Sequence, residues 1–187
     1  MTDEVMPSLF DRLQREDERI FAHVAGWHSD VGDTVLPRLS LAASYSRLWI
    51  AISAVVGLTG SKDSRRAVFE ALTAVALSSA VVNIAAKGVA HRQRPTTTVP
   101  GSRALEQPSS SSFPSGHSAS AAAFSGVMGR RIPPIAIPIN AVAATAAFSR
   151  VYTGVHYPSD VAVGWAMGRV AAGLVTFASR RLFSDGM

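Results

Sequence analysis

Five apolar stretches, 48–60, 67–86, 116–129, 132–149 and 161–179, alternate with short polar segments. Ahead of them, residues 1–38 are polar and acid-rich. Within that region Leu9, Phe10, Leu13, Ile20, Phe21 and Val24 recur at helical spacing. The spacing predicts an amphipathic helix from Ser8, an N-cap candidate, to about Trp27, and only Asp17 breaks its apolar face. Its polar face mixes Arg12, Arg15 and Arg19 with acids, so packing onto the rest of the protein suits it better than lying on lipid. There is no basic head followed by an apolar run and a cleavage site, so this is not read as a secretory leader.

A membrane span takes about 20 apolar residues. The second and fifth stretches have the length but carry Glu70 and Arg169; the first and third are short. The fourth holds Pro133 and Pro134, which suit a helix start, and Pro138, which bends its first turns. Small residues such as Ala71, Ala74, Ser78 and Ala119–Ala123 favour close helix packing in lipid. The expectation is an all-α integral membrane bundle of about five spans, or six if residues 35–47 add a short one, preceded by the amphipathic helix. Lys62, Arg65, Arg66, Arg130, Arg131, Arg180 and Arg181 then share one side, and the positive-inside rule makes it cytoplasmic. The N-terminus and loops 87–115 and 150–160 share the outer side.

Composition narrows the class. The chain has 187 residues, 48% hydrophobic, with mean hydropathy +0.21, which is too apolar for disorder. The absence of cysteine excludes disulfide scaffolds, thiolate metal sites and cysteine nucleophiles. A net charge of +5 points to an anionic partner: nucleic acid, lipid head groups or a phosphorylated substrate.

Three patches carry chemistry, each at the end of an apolar stretch. The first runs from Lys87 to Arg94 and Pro95. Lys87 and Arg94 are seven apart, two turns if the helix continues, and Pro95 stops it. The second is Pro114-Ser115-Gly116-His117, which opens a helix whose free N–H groups can bind an anion, with Gly116 allowing close approach. The third runs from Ser149 and Arg150 to His156 and Asp160. Arg150 offers a permanently charged fork, and Asp160 can hold one nitrogen of His156 and leave the other free to attack. Singly, these have bland readings: a snorkelling basic collar, an ordinary N-cap, a satisfied loop histidine. Together they suit phosphoryl transfer, with cations neutralising phosphate oxygens and two groups acting in line. No acidic cluster suited to Mg²⁺ accompanies them, so metal-independent chemistry without a cofactor is expected.

The pattern Lys-x6-Arg-Pro, Pro-Ser-Gly-His, Ser-Arg-x5-His-x3-Asp resembles the type 2 phosphatidic acid phosphatase (PAP2) family of lipid phosphate phosphatases. The resemblance implies that His156 forms a phosphohistidine, with Asp160 orienting it and His117 protonating the leaving alcohol. It implies a phosphate-binding set of Lys87, Arg94, Ser115, Gly116 and Arg150, with Ser149 in the motif. It also implies two segments, 1–40 polar and amphipathic and 41–187 a transmembrane phosphatase domain. The partners are then the bilayer and a lipid phosphate: an isoprenyl phosphate or diphosphate, phosphatidic acid or phosphatidylglycerol phosphate. Nucleic acid is not needed to explain the basicity, and oligomeric state is left open. His91, Arg92 and Arg103 read as a solvated basic loop, and residues 96–112 as a mobile cover. Short spans suit a bacterial plasma membrane, with the site facing outward. Two alternatives are a vanadate-binding haloperoxidase-like protein and a non-catalytic lipid-binding or transport bundle.

Overall fold

The computed structural model describes residues 9–88, 92–96, 99–101 and 103–184, with backbone alone at 9–10, 59, 85–88 and 183–184. Among the described residues there are seven α-helices and no strand: α1 (Leu9–Gly26), α2 (Asp30–Ala42), α3 (Arg47–Thr59), α4 (Lys62–Gly88), α5 (Gly116–Arg131), α6 (Ala136–Tyr152) and α7 (Pro158–Ser184). Each predicted apolar stretch corresponds to one of α3–α7, the fourth beginning in a 3₁₀ turn at Pro133–Ile135 ahead of α6. The expected N-terminal helix is α1, while its proposed cap, Ser8, lies outside the described residues.

Helix α5 is the axis of the bundle and packs against α4, α6 and α7. Every residue from Ser118 to Met128 is buried. Serine and alanine supply most of that run, so backbones close in without bulky side chains between them. On α7, side chains at Gly164 and Gly168 would run into the carbonyls of Ser115 and Ala119. The seam between α5 and α7 therefore requires glycine at both positions. Trp49 of α3 is fully buried and meets Phe124 of α5 with ring centroids 5.2 Å apart.

Three segments are long and apolar enough to cross a membrane, 62–84, 133–152 and 158–182, with a fourth if α2 and α3, bent by 65°, form one broken span. This is fewer than the five expected from sequence. Helix α5 has only 16 residues. Being wrapped by its neighbours, it needs no lipid-facing apolar surface. Residues 35–47 do not make a separate short span. They form the end of α2, with Pro37 inside it, and a 3₁₀ turn at Ser44–Ser46 in which Tyr45 and Ser46 take left-handed φ of 54° and 59°.

The charges that interrupted the apolar stretches are paired. Glu70 is buried and accepts from Arg131 Nε and Nη2 at 2.7 Å each, from Arg66 Nε at 3.1 Å and from the Ser179 hydroxyl. Arg169 donates to Asn140 Oδ1 and stacks over Trp165 at 5.0 Å. Helix α1 packs on α6 and α7, burying Phe21 and Val24 with Val151, Tyr152 and Tyr157. Asp17, which read as a flaw in that face, is buried too, because the partly buried cation of Arg92 meets it.

Candidate active site

The site lies where α4 and α6 end and α5 and α7 begin. Helix α4 stops at Gly88, and residues 92–96 are irregular rather than a continued helix, so Arg94 comes from a connecting strand of chain. The side chain of Lys87, in the last turn of α4, lies outside the described residues, as does His91. Arg94 is held by carbonyls: its Nε donates to Pro108 O at 3.0 Å, its Nη2 to Ser111 O at 3.2 Å and its Nη1 to Val155 O at 2.9 Å.

Ser115 caps α5. Its hydroxyl oxygen accepts from Ser118 N at 3.4 Å and from Ser118 Oγ at 3.0 Å, so its own hydrogen remains for an anion. Its amide donates to the Asp160 carbonyl at 3.0 Å, tying the cap to the start of α7. A side chain at Gly116 would face Val82 at 3.7 Å, so space alone does not demand glycine there. His117 Nε2 lies 3.1 Å from the Ser44 hydroxyl in the break between α2 and α3. Arg150, near the end of α6, is buried, and its Nη1 donates to Ser40 Oγ at 2.5 Å. Its Nε is buried with no hydrogen-bond partner, which suits a group built to take an anion. The neighbouring Ser149 is committed to the Ala146 carbonyl at 2.7 Å.

His156 occupies the turn between α6 and α7. Its amide and that of Val155 both donate to the Arg150 carbonyl at 3.1 Å, with Gly154 at φ 76° completing the turn. Asp160 Oδ2 lies 3.4 Å from His156 Nδ1 and accepts from Tyr157 N at 2.9 Å. Arg94 Nη1 lies 3.3 Å from His156 Nε2. A guanidinium can only donate, so Nε2 presents its lone pair and the ring proton sits on Nδ1, facing the carboxylate. Burial pushes the His156 imidazolium down to about 4; the Asp160 side chain opposes that shift, while the charges of Arg150 and Arg94 add to it. The ring is therefore neutral at physiological pH.

The structure thus brings Arg94, Ser115, Gly116, His117, Arg150, His156 and Asp160 to one end of the bundle. One sequence expectation is corrected. Arg92 and Arg103 are not solvated: Arg92 pairs with Asp17 at 2.6 Å and Asp160 at 2.7 Å. Arg103 is fully buried, donates to the carbonyls of Trp27 and Ala25, and lies over the Tyr152 ring at 4.3 Å. In the 96–112 segment, Gln107 Nε2 donates to Pro95 O and Gly154 O at 3.0 Å each, which ties that residue to the site. Arg94, Gln93, Gln107 and Ser109–Ser111 line a cavity of about 400 Å³. On the other side, Gly116, His117, Ser120, Ser79, Asn83 and Tyr45 line one of about 170 Å³. Sequence reasoning missed Ser40 and Ser44, which carry no distinguishing signal, and Asp17, whose signal was a lone acid on an apolar face.

The model of the PAP2 superfamily matches residues 67–183. The chain belongs to the PAP2 superfamily. Decaprenylphosphoryl-5-phosphoribose phosphatase of Mycobacterium tuberculosis is 39% identical over 93 residues, 48% of this chain and 49% of that protein. The chain thus spans about half the length of the curated relatives it matches. The same PAP2 fold occurs in the transmembrane phosphatidylglycerolphosphate phosphatase of Bacillus subtilis (TM-score 0.71, 23% identity, covering 91% of this chain and 87% of that one). It occurs also in Aquifex aeolicus LpxE (TM-score 0.72, 20% identity, covering 94% and 99%). At these identities the two structures speak to the fold alone.

Proposed function

We propose that this PAP2 chain is a membrane-bound lipid phosphate phosphatase working through a phosphohistidine without a metal. The observation that carries the reading is the placement of His156, with its Nε2 lone pair beside Arg94 and its Nδ1 proton facing Asp160. In the first step Nε2 attacks phosphorus, the P–O bond to the leaving alcohol breaks, and His117 gives that oxygen a proton. Arg94, Arg150 and the Ser115 hydroxyl balance the charge on the remaining phosphate oxygens, and Lys87 joins them by its place in the motif. In the second step water attacks phosphorus, His117 takes its proton, the P–N bond breaks and inorganic phosphate leaves. Asp160, engaged by His156, Tyr157 and Arg92, is committed to orienting the nucleophile rather than to holding a cation.

The substrate is a phosphate monoester or diphosphate of a lipid, taken from the bilayer with its phosphate at the interface. The panel to test begins with decaprenylphosphoryl-5-phosphoribose, after the name of the mycobacterial relative, with prenyl phosphates, phosphatidic acid and phosphatidylglycerol phosphate beside it. The bundle sits in a bacterial plasma membrane with the site outward, since Lys62, Arg65, Arg130 and Arg131 lie at the opposite helix ends. The test is phosphate release by purified protein in detergent micelles containing each lipid. His156→Ala and His117→Ala should abolish release, and chelator should leave the wild type unchanged. Full release by both variants rejects the catalytic assignment, and strict Mg²⁺ dependence rejects the metal-free mechanism.

A further inference from the structure

Asp160 is held from a side that the motifs do not describe. Its Oδ2 faces His156 and the Tyr157 amide, while its Oδ1 accepts from Arg92 Nη1 at 2.7 Å. The same guanidinium donates through Nη2 to Asp17 Oδ2 at 2.6 Å and to Gln14 Oε1 at 2.7 Å, both on α1. It lies over the Tyr157 ring, 4.3 Å from its centroid. Asp17 also reaches α7 directly, its Oδ1 accepting from Ser159 N at 2.9 Å and its Oδ2 from the Ser159 hydroxyl. The side chains of Asp17, Arg92 and Asp160 are only 7%, 15% and 0% exposed. One cation therefore sits between two buried carboxylates, and the second carboxylate comes from the N-terminal helix.

The arrangement bears on the chemistry of His156. When Nε2 bonds to phosphorus the imidazole becomes cationic, and the Asp160 carboxylate offsets that charge through Nδ1–H. Arg92 alone would draw the carboxylate's charge toward itself and away from the ring. Asp17, on the far side of Arg92, counters that pull and leaves Asp160 available to the nucleophile. We infer that Asp17, acting through Arg92 and Ser159, is a positioning residue for the Asp160–His156 pair, so that α1 is a working part of the active site. This rests on the proposed role of His156 as nucleophile. A lone carboxylate on the apolar face of an amphipathic helix is costly to bury. Its burial against a cation that also holds the catalytic carboxylate gives that cost a purpose.

The test is the pH profile of kcat/KM together with kcat and KM, for protein in detergent. The charged and titratable groups around His156 are Asp160 on α7, Arg94 and Arg92 on the 92–96 segment, Arg150 on α6, His117 on α5 and, through Arg92, Asp17 on α1. Asp17→Asn leaves Arg92 to bear on Asp160 alone. Its acid limb should move down by about half a pH unit or more, and kcat should fall at least about fivefold with KM within about twofold. Arg92→Gln leaves two carboxylates unshielded, so its acid limb should move up. The double variant should return the limb toward the wild-type position.

A limb left at the wild-type position in both single variants overturns the inference, even if both lose thermal stability, because a mere anchor for α1 would cost stability alone. Should Asp17→Asn not be recovered folded, Arg92→Gln carries the test, and an unmoved limb there overturns it. His156→Ala in an otherwise unaltered chain separates the two readings. Full activity there rejects the phosphohistidine mechanism itself, whereas loss of activity there with unmoved limbs in the α1 variants rejects only the role of Asp17.

Discussion

Ser44 fixes where His117 keeps its proton. The Ser44 hydroxyl donates to the Ser40 carbonyl at 3.1 Å, so toward His117 Nε2, also 3.1 Å away, its oxygen accepts. Nε2 of His117 therefore carries hydrogen, while Nε2 of His156 carries a lone pair beside Arg94. The two neutral rings thus stand in opposite tautomers, and to serve as the proposed acid His117 first takes a second proton at Nδ1. Ser44→Ala removes the acceptor that orders this proton. It should lower kcat about fivefold, the worth of one hydrogen bond, whereas His117→Ala should lower it a hundredfold or more. Steady-state phosphate release distinguishes the two.

Because burial holds His156 down to about 4, its neutral, attacking form persists well below the usual histidine range. The sign follows directly: protonation removes the lone pair, so the acid limb that His156 sets in kcat/KM should lie near 4 rather than near 6.5. An acid limb near 6.5 in a pH series would show the nucleophile to be solvated instead.

At the opposite end of the bundle, Glu70 gathers Arg66, Arg131 and Ser179 from α4, α5 and α7. Glu70→Ala takes two hydrogen bonds from the Arg131 guanidinium, while Arg66 keeps the carbonyl and hydroxyl of Ser179. It should cost about 3 kcal/mol, lowering the melting temperature by about 6 °C or more in detergent, with KM unchanged. Thermal unfolding followed by circular dichroism reads the loss.

Gly168→Val drives a side chain into the Ala119 carbonyl and should abolish both folded yield and phosphate release. Gly173, five residues on, has nothing within 4 Å of where a side chain would begin. Gly173→Ala should be tolerated or raise stability by about 0.5 kcal/mol through helix propensity. Size-exclusion chromatography of the two variants checks the contrast.

Apolarity and proline placement were enough to locate α3–α7, because each stretch is bounded by charge, glycine or proline. Arg94, Ser115, Gly116, His117, Arg150, His156 and Asp160 also converge, since they sit at helix ends that an antiparallel bundle must bring together. What escaped was mostly long-range. A buried Arg92 and a solvated one look alike in sequence, and only the fold supplies Asp17 from 75 residues away. The difference between five apolar stretches and three or four helices long enough to span has a related reason. Hydropathy assumes that a helix meets lipid, and α5 meets other helices. Helix α2 was overlooked because Pro37 and its mixed faces hide it, although Ser29, whose hydroxyl accepts from Gly32 N at 3.3 Å, is an N-cap signal of the usual kind.

Asp160, Gly164, Gly168 and Ala172 follow one another at intervals of four along α7. The carboxylate beside His156 and the contact seam with α5 are thus parts of one stripe. Such a stripe acts as a ruler. Adding or removing a single residue between 160 and 164 would turn the carboxylate about 100° relative to the glycines, with no change in composition or hydropathy. The spacing within the last helix is therefore itself an active-site parameter, and length variation in this chain has room only in its loops.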